Sequence, residues 1–237
     1  MIWWKYVLDF FGGDNPSWIK KGAKLRAYSR RYAEIDEIII HESVTSTTAK
    51  AVKVLNARKL GVHYCIDRDE AGTITSHVPA KKACSHAGSG HNRRSIGIEI
   101  VNPFYAKYAK DGDKTLTGVW VHRKEYLLPY ESQMKSLWKL VLWLVMRHDV
   151  RLEFPGIPGG RMRWGKIAHH SQPGIMAHHR FNHGDGTFPE CYIYLRTQAL
   201  SHEEAWEKTI AAASSELKRS TRNRKLQLRS LRPRQPR

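Results

Sequence analysis

IDEIIIHES, residues 35–43, is the stretch on which the fold of this 237-residue chain turns. Ile38, Ile39 and Ile40 form a short β-branched run, and an unbroken apolar run of that length reads as a strand buried on both faces. The strand ends at His41. Further on, SIGIEIVNP, residues 95–103, repeats the pattern and is closed by Asn102-Pro103. Between these two runs, residues 48–60 read as a helix capped by Thr47 or Thr48. VHYCIDRD and TITSHV flank Glu70-Ala71-Gly72 and read as a hairpin. Residues 104–130 form a polar, aromatic insertion with no clear periodicity.

An amphipathic helix is expected over residues 131–148, where Met134, Leu137, Trp138, Val141, Leu142, Leu144 and Val145 keep a stripe close to 3.6 residues per turn. The Pro/Gly-rich loop FPGIPGGRMRWG then leads to a short strand, GIMAHH, residues 174–179. Ser201 and Glu204 have the spacing of a capping box and start a further helix. Residues 1–33, aromatic and then basic, read as an extension that packs on the domain. Strands mixed with helices that carry their own apolar stripes indicate an α/β layer fold.

The composition narrows the function. A hydrophobic fraction of 41% is enough for a globular core, which excludes wholesale disorder. Three cysteines at unrelated spacings make no disulfide framework. The longest apolar stretch is too short to span a bilayer. MIWWKYVLDFFGGDNP has neither a basic leader nor a small-residue cleavage site, so no signal peptide is expected. The net charge of +18 implies a polyanionic partner, but about half of the excess lies between Lys218 and Arg237, in a tail without an acidic residue.

In order along the chain, IIIHES, VHYCIDRD, ACSHAG, NRRSIGIEI, the helix ESQMKSLWKLVLWL and GIMAHH resemble the zinc-dependent N-acetylmuramoyl-L-alanine amidases. That family includes bacteriophage lysozyme-amidases, cytosolic anhydro-muropeptide amidases and animal peptidoglycan recognition proteins. The resemblance covers roughly residues 35–200. It implies a mixed central β-sheet flanked by helices, in a single amidase domain over residues 34–200. An N-terminal extension (1–33) precedes the domain; a C-terminal helix and basic tail (201–237) follow it. The implied reaction is cleavage of the amide between N-acetylmuramic acid and the L-alanine of the stem peptide by zinc-activated water.

The resemblance also assigns residues. His41 matches the first zinc ligand and His178 the second, with His179 as its confounder. Alternation along a strand would send the two neighbours to opposite faces. The third ligand departs from the pattern, which has Cys or Asp eight to ten positions beyond the second histidine. Asp185 lies seven beyond His178, on a Gly-flanked turn, and is the nearest group of suitable chemistry. Cys191 and Glu190 are the alternatives. Glu99 matches the catalytic glutamate of the anhydro-muropeptide branch, and Val62 stands where the phage branch has a tyrosine. His183 takes the place of the lysine that steadies the oxyanion. His86 and Asn92 match residues that face the muropeptide, and His63 a structural histidine.

The expected partner is bacterial peptidoglycan, with anionic envelope polymers or lipid held by the tail, no specific nucleic acid, and a monomeric protein. A chain made in the cytoplasm that acts on the cell wall, as a phage endolysin does, fits the missing signal. Two other readings differ in class. A binding module of the same fold would lack a working metal site. A nucleic-acid-binding protein would owe its affinity to the basic tail, but no recognition motif accompanies the charge.

Overall fold

The computed structural model describes residues 15–28, 34–88, 90–117, 125–160, 172–181 and 183–214. The aromatic N-terminus and the basic tail lie outside the described residues. Among the described residues there are eight strands: β1 (Ile19–Lys21), β2 (Glu37–Glu42), β3 (Tyr64–Ile66), β4 (Ile74–Ser76), β5 (Ser95–Ile100), β6 (Thr115–Thr117), β7 (Glu125–Leu127) and β8 (Gly174–Ala177). Six of them form one sheet in the order β1-β4-β3-β5-β2-β8, and β6 pairs with β7 in a separate ribbon. Only the β3–β4 hairpin is antiparallel in the large sheet. The expected mixed central sheet is present.

The parallel centre explains the isoleucine run. Every residue of β2 and of β5 is buried, as strands covered on both faces require. On one face lie the helices α2 (Glu131–His148) and α3 (Thr187–Thr197). They pack Met134, Leu137, Leu140, Val141, Leu144, Phe188 and Tyr192 with Ile38, Ile40, Ile96, Ile98 and Ile100 into the main core. On the other face α1 (Thr48–Ala57) presses Ala51 and Val52 onto Val62, Cys65, Cys84 and Val101. Thr47 caps α1 by accepting from the Lys50 amide. In α2 the buried stripe takes in Leu140 and Trp143 and leaves Trp138, Leu142 and Val145 at its margins. Gln133 at its start ties the helix to the sheet, donating to the carbonyls of Ile66 and Val101.

Two segments outside residues 34–200 join the sheet and the core. Residues 19–21, read as part of an extension, supply the edge strand β1. A helical segment over residues 202–214 is opened by the reciprocal Ser201–Glu204 capping box and puts Ala205, Trp206 and Ala213 into the main core. All three cysteines are buried thiols outside any disulfide. Among the described residues, no helix is long and apolar enough to cross a membrane.

Candidate metal centre

The site is built at the ends of β2, β5 and β8. Ile38 and Ile40 enter the main core, so the two-residue period of the strand puts His41 on the opposite face. Glu99 stands level with His41 on β5, where adjacent strands run about 4.8 Å apart. Its neighbours Ile98 and Ile100 are in the main core, so Glu99 shares the His41 face.

The second histidine arrives differently from the expectation. β8 stops at Ala177, and residues His178–Phe181 form a 3-10 turn. His178 and His179 are therefore separated by turn geometry rather than by strand alternation. The His179 amide donates to the Asp185 carbonyl at 2.8 Å and closes the intervening loop. Gly186 adopts a positive φ of 84°, and a Cβ there would lie 2.1 Å from the Ile40 carbonyl oxygen. Only glycine lets this turn sit on the backbone of β2.

Glu42 then fixes the turn. Its amide donates to Asp185 Oδ2 at 3.2 Å, and its own Oε2 accepts from the Gly186 amide at 3.0 Å. Tyr126 and Asn102 donate to its other oxygen at 2.5 and 3.0 Å. Burial raises the Glu42 carboxyl to about 7 despite these donors. Sequence reasoning missed this residue. The available signal was an acid at the apolar-face position that follows Ile38 and Ile40, which demands partners.

With the turn held, Asp185 Oδ1 and Oδ2 lie 3.1 and 3.2 Å from His178 Nδ1, and Oδ2 lies 3.8 Å from His41 Nδ1. One donor atom from each of His41, His178 and Asp185 falls within 4.8 Å of the others. Two imidazoles and a carboxylate suit a catalytic zinc with an open position. Burial, then the nearby His178, His86, His183 and His63, hold the His41 imidazole well below its ordinary range, so it is neutral as a ligand must be. Glu99 is pushed well above the carboxylate range by burial first, then by Asp185 and Glu42. A cation held beside it would favour the carboxylate again.

These residues open into a cleft of about 740 Å³, lined also by His86, Asn92, Val62, Arg58 and His183. His183 stacks on His178, with centroids 4.0 Å apart and planes 10° apart. Burial, then His178, lowers its pKa, favouring the neutral ring. Asn92 spends its side-chain oxygen on the His86 and Ala87 amides, at 2.9 and 2.8 Å, and so shapes the wall. Cys191 and Glu190 lie in α3 and are both buried. Glu190 is clamped by Arg180 at 2.6 Å, and burial raises the Cys191 thiol to about 12. Neither belongs to the three-donor group.

A second group of metal-type donors, His63, Cys84 and His86, lies deeper. There the Gly97 amide donates to His63 Nδ1 at 3.0 Å, which forces the proton of the neutral ring onto Nε2. That nitrogen lies 3.0 Å from the Lys82 carbonyl and donates to it. Both nitrogens of His63 are thus committed to the backbone.

Residues 31–185 match the family model Amidase_2, N-acetylmuramoyl-L-alanine amidase. Among solved structures, the hydrolase AmiA of Staphylococcus aureus is 14% identical, with 83% of this chain and 82% of that chain covered and a TM-score of 0.49. The endolysin LysCS of Clostridium intestinale is 18% identical over 68% of this chain and 84% of its own, with a TM-score of 0.37. The E. coli amidase AmiD, in complex with anhydro-N-acetylmuramic acid-L-Ala-D-γ-Glu-L-Lys, is 20% identical over 53% and 49%, with a TM-score of 0.39. Comparison with curated protein sequences returns no match.

Proposed function

This chain belongs to the N-acetylmuramoyl-L-alanine amidase family, and on that premise we propose that it is a zinc hydrolase cutting the amide between N-acetylmuramic acid and the L-alanine of the peptidoglycan stem peptide. The observation that carries the reading is the convergence of His41, His178 and Asp185 beside Glu99 in one cleft. Those three residues would hold the zinc, which supplies Lewis-acid polarisation of the scissile carbonyl and a lowered pKa for water. Glu99 takes the proton of the attacking water and returns it to the departing L-alanine amine. The neutral His183 ring, stacked against a ligand, offers an N–H to the oxyanion. His86 and Asn92 form the wall against which the muropeptide lies.

A binding-only role would call for a damaged metal site. The complete donor set, together with a buried acid level with His41, favours the enzyme. We also assign the basic segment 218–237 to electrostatic attachment to anionic envelope polymers or lipid, with the protein working as a monomer on the cell wall. Deleting residues 217–237 should spare action on soluble muropeptides and weaken action on sacculi, most clearly at low salt.

The direct test incubates the protein with a defined muropeptide. The expected products are the free lactyl acid of N-acetylmuramate and a stem peptide with a new L-alanine amino terminus. A chelator should stop the reaction and added zinc restore it. Cleavage at another bond, or full activity under chelation, would reject the assignment.

A further inference from the structure

Ser95, the first residue of β5, is fully buried and lies outside every role described so far. Its hydroxyl lies 2.7 Å from the His91 carbonyl and 3.0 Å from His86 Nε2. A carbonyl only accepts, so the hydroxyl proton goes to His91. The Ser95 oxygen must then accept from His86, which puts the proton of neutral His86 on Nε2 and leaves Nδ1 bare. His86 Nδ1 lies 3.0 Å from His41 Nε2. A bare nitrogen there accepts, so His41 carries its proton on Nε2 and its own Nδ1 is a lone pair.

That lone pair faces Asp185 Oδ2 at 3.8 Å. Two acceptors turned toward each other in a buried site repel unless a cation lies between them. The relay is rigid as well as directional. The His86 ring lies against Gly97, where a Cβ would come within 2.8 Å of Nδ1, and Asn92 holds the His86 backbone amide.

We propose that Ser95 is a positioning residue of the metal centre: through His86 it fixes the tautomer of His41, so that Nδ1 is held bare and aimed at the cation site shared with Asp185. The proposal rests on the reading of His41 as a ligand. A histidine ligand commonly donates its other N–H to a carboxylate or a carbonyl. Here a second histidine takes that place, and a serine decides which way the whole chain of protons runs. Gly97 serves the same device by leaving room for the relay ring.

The test has two arms. Long-range 1H–15N NMR of the metal-free, histidine-labelled protein should show His41 and His86 both protonated at Nε2. A proton on Nδ1 of either ring would overturn the proposal without any variant being made. In the second arm, zinc affinity is measured by competition with a chelating dye. Ser95→Ala should bind zinc about 10- to 100-fold more weakly with unchanged amide spectra elsewhere. Its His86 resonances should no longer report a single tautomer, and Ser95→Thr, which keeps the hydroxyl, should recover the affinity. An Ser95→Ala protein with wild-type affinity and wild-type tautomers would overturn the proposal. If His41→Ala kept its zinc, the ligand reading would fail, and the metal half of the proposal with it, while the NMR arm would still report the proton order.

Discussion

Two groups of metal-type donors meet at His86, which belongs to the deeper group and touches His41 of the other, yet the chemistry open to them differs. In each, three metal-type donors fall within 4.8 Å of one another. Around His63 the backbone answers both ring nitrogens, through the Gly97 amide and the Lys82 carbonyl. Around His41 the hydrogen bonds are spent on the far nitrogen, and the near one faces a carboxylate. Proximity of donors is thus a poor guide to a metal site. What decides is where each ring has already placed its proton.

Substitution should pull the two clusters apart. His41→Ala, His178→Ala and Asp185→Ala should each reduce muropeptide hydrolysis to background, because catalytic zinc seldom stays on two protein ligands. Residual activity above a hundredth of wild type in any of them would blur the contrast. Glu99→Gln keeps the shape and removes the proton acceptor. Its kcat should fall by about 10²- to 10⁴-fold with normal metal content, and an active variant would remove Glu99 from the mechanism. Tyr64 would be no substitute, since its hydroxyl donates to Asn15 from a ring in the main core.

His183→Ala should lower kcat by at most about 10²-fold and keep zinc, because it removes a donor to the oxyanion rather than a ligand. Loss of zinc in that variant would make it part of the coordination instead. The smallest effect is expected from Cys84→Ala in the deeper cluster. Zinc and kcat should be unchanged, with a fall in melting temperature corresponding to about 1 kcal/mol for the lost buried sulfur. A lowered zinc content there would mean that the deeper cluster also takes a metal.

How much of this could be read in advance depended on periodicity. His41 and Glu99 were legible because each interrupts an apolar strand whose face is set by its isoleucines. Asp185 was legible only as the nearest suitable donor, since its position rests on a loop held by Glu42, the His179 amide and the conformation of Gly186. Those contacts are long-range and leave no periodic trace. The helix Thr187–Thr197 escaped notice because Pro189 and the preceding Gly-rich turn look like a loop, although proline is tolerated in a first helical turn. The three-residue strand β1 and the β6–β7 ribbon were too short to carry a pattern. GIMAHH was legible as a strand as far as Ala177, where the chain turns to deliver His178.

The central claim is that the metal is bound by His41, His178 and Asp185 and not by the cluster beneath them. Elemental analysis of the wild-type protein, Asp185→Ala and Cys84→Ala, purified side by side without chelator, tests it most directly. The account predicts about one zinc per chain in the wild type and in Cys84→Ala, and essentially none in Asp185→Ala. Zinc retained by Asp185→Ala, or lost from Cys84→Ala, would contradict it.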